Sequence, residues 1–261
     1  MVDGGYRPHF GAVDSMMKQD FPDGDFEFLW VEYYDKVKPE LQEKAKKKPN
    51  FKIITLNKSG IYHSSECFNK GIKSAIGEVI VIPDGDVVFD KNFLREIWNE
   101  HKRNENLVMY LYRYDEPQHA HTSMNIDLDY LSRICILTNP SNYGGCLTVR
   151  KKWLLKINGY EEYEIFRTGG DHANGLDIYT RFKNLGLHIM WHPDLKIYHP
   201  WHEHKAGVAN AYKPQHVFIQ YRASQREVSA FKGLDSKRNR EVPGELISKI
   251  AKTIDSLNEK S

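Results

Sequence analysis

The chain has 261 residues, of which 40% are hydrophobic and 28% are charged, and its formal net charge is +2. This composition supports a sizeable folded core and excludes wholesale disorder. The near-neutral charge balance argues against a nucleic-acid coat or a surface strongly attracted to membranes. The length suits one large α/β domain, with or without a small appendage.

Cysteine usage and hydropathy give an expectation for the cellular compartment. The three cysteines, Cys67, Cys135 and Cys146, are odd in number and lack zinc-ligand spacing, which favours a reducing environment. No apolar run has the length of a membrane span, and no basic-then-apolar signal region opens the sequence. We therefore expect a soluble, cytoplasmic protein without a transmembrane segment.

Predicted strands and helices alternate in the first half of the chain. Helices are predicted over residues 9–19, 39–48, 64–76 and 92–103, and strands over residues 26–31, 51–56, 79–82 and 107–113. This alternation predicts a single α/β domain with a mixed, mostly parallel central sheet flanked by helices. In such sheets, ligands bind beyond the carboxyl ends of the strands.

The second half has a less regular pattern. We predict a loop-rich region over residues 115–143 and a mobile, histidine-rich stretch from about 199 to 216. The other predicted elements are a glycine turn leading into a strand over residues 143–149, strands over 187–191 and 195–198, helices over 151–157 and 177–185, and an amphipathic helix over 243–261.

An acidic motif, Asp84-Gly85-Asp86, follows the apolar strand at residues 79–82 directly. The glycine allows the backbone to approach a ligand closely, and the two carboxylates can converge on one divalent cation. Hard oxygen ligands suit Mg²⁺ or Mn²⁺, whose remaining coordination sites suit diphosphate oxygens. The simplest alternative is a solvent-exposed aspartate-rich turn. The position at the carboxyl end of a strand favours the metal site.

Several segments resemble a known family. The run Ala75-Ile76-Gly77-Glu78-Val79-Ile80 leads into the acidic motif, and Asn69-Lys70-Gly71-Ile72 precedes it. With the helix ending in Gln19-Asp20-Phe21-Pro22, these segments are similar to inverting family 2 glycosyltransferases of the GT-A fold. Residues 144–151 and 157–162 resemble the acceptor-side segment of the same family. The resemblance covers residues 7–204.

The resemblance implies roles for particular residues. Glu32 and Asp35 would meet the nucleoside, Asp84 would face the ribose or the metal, and Asp86 would bind the metal. The donor-binding residues implied in this way are Glu32, Asp35, Asn57, Asn69 and Asp84. The donor implied is a UDP- or GDP-sugar.

The sequence also departs from the family pattern. The usual opening strand is absent, Phe68 replaces an arginine, and the Glu-Asp catalytic pair is not intact. We take Asp171 as the base that accepts the proton of an acceptor hydroxyl. The alternative for Asp171 is a cap of the helix that starts near Asn174.

Histidines cluster after the last predicted strand, at His199, His202 and His204. The family often supplies a third metal ligand here, and the resemblance places it at His199, with His202 as the alternative. A neutral imidazole suits manganese better than magnesium. A surface histidine, a contact to the diphosphate and a zinc site built from all three histidines stay open.

The function predicted from these observations is metal-dependent transfer of a sugar from a nucleotide diphosphate to an acceptor hydroxyl, with inversion. The acceptor could be a glycan, a lipid-linked glycan, a small metabolite or a modified base, and homo-oligomers are possible. The alternatives are a nucleotidyltransferase and a non-catalytic nucleotide-sugar-binding module. Residues 1–242 would form the GT-A-like domain, with a nucleotide-sugar half at 1–113, an acceptor and catalytic half at 114–204 and a mobile connection at 205–242.

Overall fold

The computed structural model describes residues 1–5, 7, 9–22, 25–120, 127–167, 173–203 and 212–258. Within these ranges the chain forms seven strands and nine α-helices. The strands are β1 (Val2–Asp3), β2 (Phe28–Glu32), β3 (Phe51–Thr55), β4 (Val79–Pro83), β5 (Leu107–Asp115), β6 (Cys146–Arg150) and β7 (His188–His199). The helices are α1 (Gly11–Met17), α2 (Pro39–Lys46), α3 (Ser64–Ser74), α4 (Phe93–Arg103), α5 (Leu128–Ile134), α6 (Lys151–Lys156), α7 (Asn174–Asn184), α8 (Tyr212–Gln225) and α9 (Gly244–Asn258).

The strands form two sheets. A parallel sheet has the order β1-β2-β3, and a mixed sheet has the order β4-β6-β5-β7. In the mixed sheet β6 runs antiparallel to β4 and β5, while β5 and β7 are parallel. The α/β class and the mixed, mostly parallel strand arrangement predicted from the sequence are therefore confirmed.

Two apolar clusters pack on opposite faces of the mixed sheet, because successive side chains of a strand point to opposite faces. Met109 and Leu111 of β5 join the cluster that includes Trp30 and Phe93. Val108 and Tyr110, which alternate with them, join the second cluster. This packing holds the carboxyl ends of β4, β5 and β7 in place, and the site described below lies at those ends.

The opening strand, expected to be absent, is present in short form. Val2 and Asp3 pair in parallel with Val31 and Glu32 of β2. The Met1 amino group donates a hydrogen bond to the carbonyl oxygen of Leu29 at 2.9 Å. Two residues are too few to pair with the whole of β2, and a cavity of about 580 Å³ lies between β2 and β4.

The second half of the chain contains more regular structure than its sequence pattern predicts. Helix α5 lies in the region expected to be loop, and α8 begins at Tyr212 inside the stretch expected to be mobile. The two strands expected after residue 186 are one long strand, β7, with a register shift opposite Leu111 and Tyr112. Polar surface side chains conceal α5, and the polar residues Gln215 and Arg222 on the buried face conceal α8. The segment His192-Pro193-Asp194 conceals the continuity of β7.

The C-terminal amphipathic helix is confirmed as α9, which buries Leu246 and Ile250. Its neighbour is α8, and both contribute to a third apolar cluster with Phe166 and Phe231. Within the described residues, no helix combines the length and the apolar character needed to cross a membrane.

Candidate active site

The acidic motif forms a turn at the carboxyl end of β4. The Asp84 amide donates to the carbonyl oxygen of Gly145, which fixes the turn against the start of β6. At Gly85, an added Cβ atom would lie 2.5 Å from Nε of Arg7 and 2.9 Å from its Cζ. A side chain at position 85 would collide with the Arg7 guanidinium, which packs directly against this residue. The position between the two aspartates therefore suits glycine.

Asp86 is buried and makes a close ion pair. Its Oδ2 atom lies 2.5 Å from Nη1 of Arg7, and both side chains are almost fully buried. Burial alone would raise the pKa of Asp86, but the Arg7 guanidinium and the histidines His202 and His199 hold it well below its usual range. Asp86 is therefore an ionised carboxylate at neutral pH.

Two histidines face Asp86: His199 at the end of β7, and His202 three residues after it. His199 Nε2 lies 3.8 Å from Asp86 Oδ1, and His202 Nε2 lies 3.5 Å from Asp86 Oδ2. The two Nε2 atoms are 3.2 Å apart. The hydrogen bond to Asp86 raises the pKa of His202, and burial opposes this rise. Ligand atoms of these three residues all lie within 4.8 Å of one another.

Asp84 has a different set of partners. Arg113 Nη1 donates to Asp84 Oδ2 at 3.0 Å, and Arg113 Nε lies 3.0 Å from Asp115 Oδ1. Burial raises the pKa of Asp84, the charge of Asp86 raises it further, and Arg113 opposes both. Asp115 in turn contacts Nδ1 of His199 at 3.2 Å. The end of β5 thus links the acidic turn to the histidine segment.

The donor set of Asp86, His199 and His202 fits a divalent metal. One carboxylate and two imidazole nitrogens match the ligand preferences of manganese better than those of magnesium. Asp115 is placed to accept a hydrogen bond from Nδ1 of His199, which leaves Nε2 with its lone pair directed to the ligand group. The structure brings the predicted ligands Asp86 and His199 together and adds His202. Asp84 is not a member of the group and faces Arg113.

The predicted nucleoside-binding residues lie in different environments. Glu32 is buried at the end of β2 opposite Asp3, and burial followed by the Asp3 carboxylate raises its pKa to about 7. Asp35 is exposed in the bend after β2, and Asn57 is exposed after β3 with a φ of 52°. The Glu32 Oε1 atom is buried and has no hydrogen-bond partner among the described residues. Of these three residues, Glu32 is therefore the one with a buried polar atom left for a ligand.

Asn69 makes hydrogen bonds between two distant segments of the chain. Its amide nitrogen donates to the carbonyl oxygen of Tyr160 and to Glu162 Oε1, both at 2.8 Å. Its amide oxygen accepts the Tyr160 N–H at 2.7 Å. Both donor hydrogens are therefore used between α3 and the segment after β6. The predicted base, Asp171, lies outside the described residues.

Sequence reasoning missed three residues of the site. Arg113 and Asp115 alternate at the carboxyl end of β5, so the strand-end rule that identified the acidic motif could also have identified them. Arg7 has no such signal, because its ion pair with Asp86 depends on tertiary structure. His9 also lies nearby, with its ring centroid 6.5 Å from that of His202. Its Nε2 atom is buried and lacks a hydrogen-bond partner among the described residues.

Comparison with known proteins identifies the chain as a glycosyltransferase with the GT-A fold. The model of the family described as "Glycosyl transferase family 2" matches residues 12–157, which is more than half of the chain. The chain therefore belongs to glycosyl transferase family 2. Among curated proteins, none matches the sequence significantly.

Solved structures with the same fold include several nucleotide-sugar complexes. S. aureus TarS 1-349 in complex with UDP-GlcNAc is 18% identical, with a TM-score of 0.62. The similarity covers 90% of the present chain and 67% of the TarS 1-349 chain. The mannosyltransferase PcManGT from Pyrobaculum calidifontis, in complex with GDP-Man and Mn²⁺, is 12% identical, with coverages of 95% and 66% and a TM-score of 0.57.

A third similar structure is GalNAc-T7 with UDP, GalNAc and Mn²⁺, which is 12% identical with a TM-score of 0.57. This similarity covers 77% of the present chain and 42% of GalNAc-T7. The present chain thus spans about two thirds of the length of the TarS 1-349 and PcManGT chains. At these identities the likeness establishes the shared fold.

Proposed function

We propose that this protein transfers a sugar from a UDP- or GDP-sugar to an acceptor hydroxyl, with a divalent cation held by Asp86, His199 and His202. The observation that carries the proposal is the convergence of these three ligands at the carboxyl edge of the sheet. Family membership supports glycosyl transfer over nucleotidyl transfer. The complexes of similar structures with GDP-Man and UDP-GlcNAc support a nucleotide diphosphate sugar as donor.

The chemistry needs positive charge near the leaving diphosphate. A divalent cation bound by this group would neutralise part of that charge. Arg7 and Arg113 add two guanidinium groups beside the same carboxylates, at Asp86 and Asp84 respectively. Guanidinium groups can donate two parallel hydrogen bonds to phosphate oxygens. In the proposed complex, the two arginines would donate hydrogen bonds to the diphosphate oxygens.

The transfer itself is proposed as a single displacement with inversion. The acceptor oxygen forms a bond to the anomeric carbon while the bond from that carbon to the diphosphate oxygen breaks. The acceptor proton passes to Asp171, and the nucleoside diphosphate leaves with the bonding electrons. The resemblance of the chain to inverting enzymes supports the inversion. Asp171 precedes α7 by three residues in the sequence, and residues 177–182 resemble the helix that follows the family's catalytic Glu-Asp motif, which supports Asp171 as the base.

A thermal-shift experiment tests donor and metal binding together. UDP, GDP, UDP-GlcNAc and GDP-Man are each added with and without Mn²⁺ to the wild-type chain, to Asp86→Asn and to Asp255→Asn. Asp255 is exposed on α9 and serves as the matched control. We expect one nucleotide with Mn²⁺ to raise the Tm of the wild type and of the control by about 5 °C. Equal Tm increases with and without Mn²⁺, or in Asp86→Asn, would contradict the metal site.

Product analysis tests the chemistry. Proton NMR of the glycoside formed reports the anomeric configuration relative to the donor, and retention would contradict the single displacement. Asp171→Asn is expected to lower kcat by about a hundredfold or more while donor binding is preserved. Binding of donor and Mn²⁺ without turnover on any acceptor would identify a binding module instead of an enzyme.

A further inference from the structure

Four half-buried aromatic side chains contact one another in series, and one of them lies in the loop that supports the acidic turn. They are Tyr112 of β5, Tyr143 before β6, Tyr179 of α7 and Trp191 of β7. We refer to them together as the aromatic surface. Ring centroids are 5.1 Å apart between Tyr112 and Trp191, 5.7 Å between Trp191 and Tyr143, and 4.4 Å between Tyr143 and Tyr179.

These rings are only partly used for core packing. Tyr143, Tyr179 and Trp191 pack against the apolar cluster on their face of the mixed sheet and keep part of their surface exposed. Trp153 offers a comparison, because it is also half-buried and its indole N–H donates to the carbonyl oxygen of Glu105. Among the described residues, the Trp191 indole N–H makes no hydrogen bond, and the side chain keeps part of its surface exposed. It is therefore open to a ligand.

The aromatic surface is joined directly to the candidate active site. Tyr143 is followed by Gly144 and Gly145, and the carbonyl oxygen of Gly145 accepts the Asp84 N–H at 2.9 Å. An added Cβ at Gly145 would lie 3.3 Å from Cβ of Arg113, the side chain that pairs with Asp84. One residue thus separates the nearest ring from the backbone that supports the acidic turn.

Polar groups border the same surface. Asn139 and Ser141 are exposed, and Asn142 is half-exposed beside Tyr143. The first turn of α7 packs on this loop so tightly that a Cβ at Gly175 would lie 2.6 Å from the carbonyl carbon of Tyr143. The loop is therefore held in place with amide and hydroxyl groups at the edge of the rings.

We propose that the aromatic surface binds the acceptor and that the acceptor is a saccharide of at least two units. The inference rests on the proposed function, because it assigns the second substrate of the same transfer. Sugars present apolar C–H faces that pack on aromatic rings, and their hydroxyl groups need hydrogen-bonding partners at the edge. The surface supplies both, and its four neighbouring rings offer separate packing positions for more than one sugar unit.

Saturation-transfer NMR and kinetics test the inference. The probes are maltose, cellobiose, chitobiose and their methyl monosaccharides, with octanol and a serine-containing peptide as other acceptor classes. Each is offered to the full chain with Mn²⁺ and UDP or GDP for binding, and with UDP-GlcNAc or GDP-Man for transfer. The variants are Trp191→Leu and Tyr179→Leu, and Trp153→Leu is the matched control. Near-ultraviolet circular dichroism confirms that each variant is folded.

We expect at least one disaccharide to bind better than its methyl monosaccharide. Trp191→Leu and Tyr179→Leu should each raise the acceptor KM by about tenfold with a smaller change in kcat, and Trp153→Leu should leave the acceptor KM unchanged. Wild-type binding of donor without binding of any saccharide overturns this inference and leaves the proposed function intact. Absence of donor binding overturns the proposed function. Transfer to the peptide or octanol that is unaffected by both variants also overturns the inference.

Discussion

The Arg7 guanidinium packs against Gly85 and places its Nη1 atom 2.5 Å from Oδ2 of Asp86. This arginine therefore supplies a positive charge where the proposed cation would bind. Asp86 is ionised in the structure because of that charge, together with His202 and His199. The same guanidinium competes with a divalent cation for the carboxylate. Arg7 thus keeps Asp86 ionised before a metal binds. When the metal binds, Arg7 loses part of its interaction with Asp86.

Replacing Arg7 by Met should separate these two effects. Without metal, the buried Asp86 loses its ion-pair partner, and the free energy of unfolding should fall by about 3–5 kcal/mol. The affinity for Mn²⁺ alone should rise, because the competing charge is gone. Denaturant unfolding and Mn²⁺ titration followed by electron paramagnetic resonance measure the two quantities, with Arg7→Lys as the charge-preserving control. Weaker Mn²⁺ binding by Arg7→Met than by the wild type would contradict the competition.

Asp115 should control metal affinity without being a ligand. Its Oδ1 atom contacts Nδ1 of His199 at 3.2 Å, and Thr138 donates to its other oxygen. This contact orients the ring so that Nε2 faces Asp86. Asp115→Asn should weaken Mn²⁺ binding about 10- to 100-fold. Asp194→Asn, at an exposed position of β7, is the control. An unchanged Kd for Mn²⁺ in Asp115→Asn would show that the contact does not orient the ligand.

The first half of the fold was predictable because apolar strands and amphipathic helices alternate there with clear boundaries. Strand β4 and helix α4 lie within a residue of their predicted bounds. Helix α8 was missed because its buried face includes the polar residues Gln215 and Arg222, which conceal the apolar periodicity. The short strand β1 was missed because two residues carry no periodic signal.

The site was predictable where its residues follow a strand directly. Asp86 and His199 are such residues, and the structure brings them within one ligand group. The role of Arg7 depends on a contact between distant segments, so no spacing in the sequence indicates it, whereas the strand-end position of Asp115 does mark that residue as a candidate. Asn69 illustrates the reverse case, because its position resembles a donor-binding residue while its amide connects α3 to Tyr160 and Glu162.

Glu32 should make stability depend on pH. Burial, and then the nearby Asp3 carboxylate, raise its pKa from 4.5 to about 7 in the folded protein. The folded state thus binds this proton more tightly than the unfolded state, so the stabilisation is complete below pH 4.5 and is lost as the pH rises to 7. From pH 5 to pH 8, Glu32→Gln should gain about 2–3 kcal/mol of unfolding free energy relative to the wild type. Urea unfolding at both pH values measures this, with exposed Glu241→Gln as the control. A difference that does not change with pH would contradict the raised pKa.

The buried ion pair of Arg222 and Glu161 should support the fold and not the metal site. Arg222 also contacts Asp177 Oδ1 at 2.8 Å, and Glu161 accepts the backbone N–H groups of Phe231 and Lys232. Arg222→Met would leave the buried Glu161 carboxylate without its cation and would remove one of the two arginines that pair with Asp177, the other being Arg181. This loss should lower the free energy of unfolding by about 3–5 kcal/mol.

The control for Arg222→Met is Arg133→Met, at an exposed position of α5. This control should change the free energy of unfolding by less than about 0.5 kcal/mol. At a temperature where the Arg222→Met variant stays folded, its Kd for Mn²⁺ should match that of the wild type, because Arg222 contacts none of Asp86, His199 and His202. Urea unfolding and Mn²⁺ titration of the same samples measure both effects. A weakened Mn²⁺ affinity in a fully folded Arg222→Met variant would show that the ion pair also positions the metal ligands, which the separation of the two networks in the structure argues against.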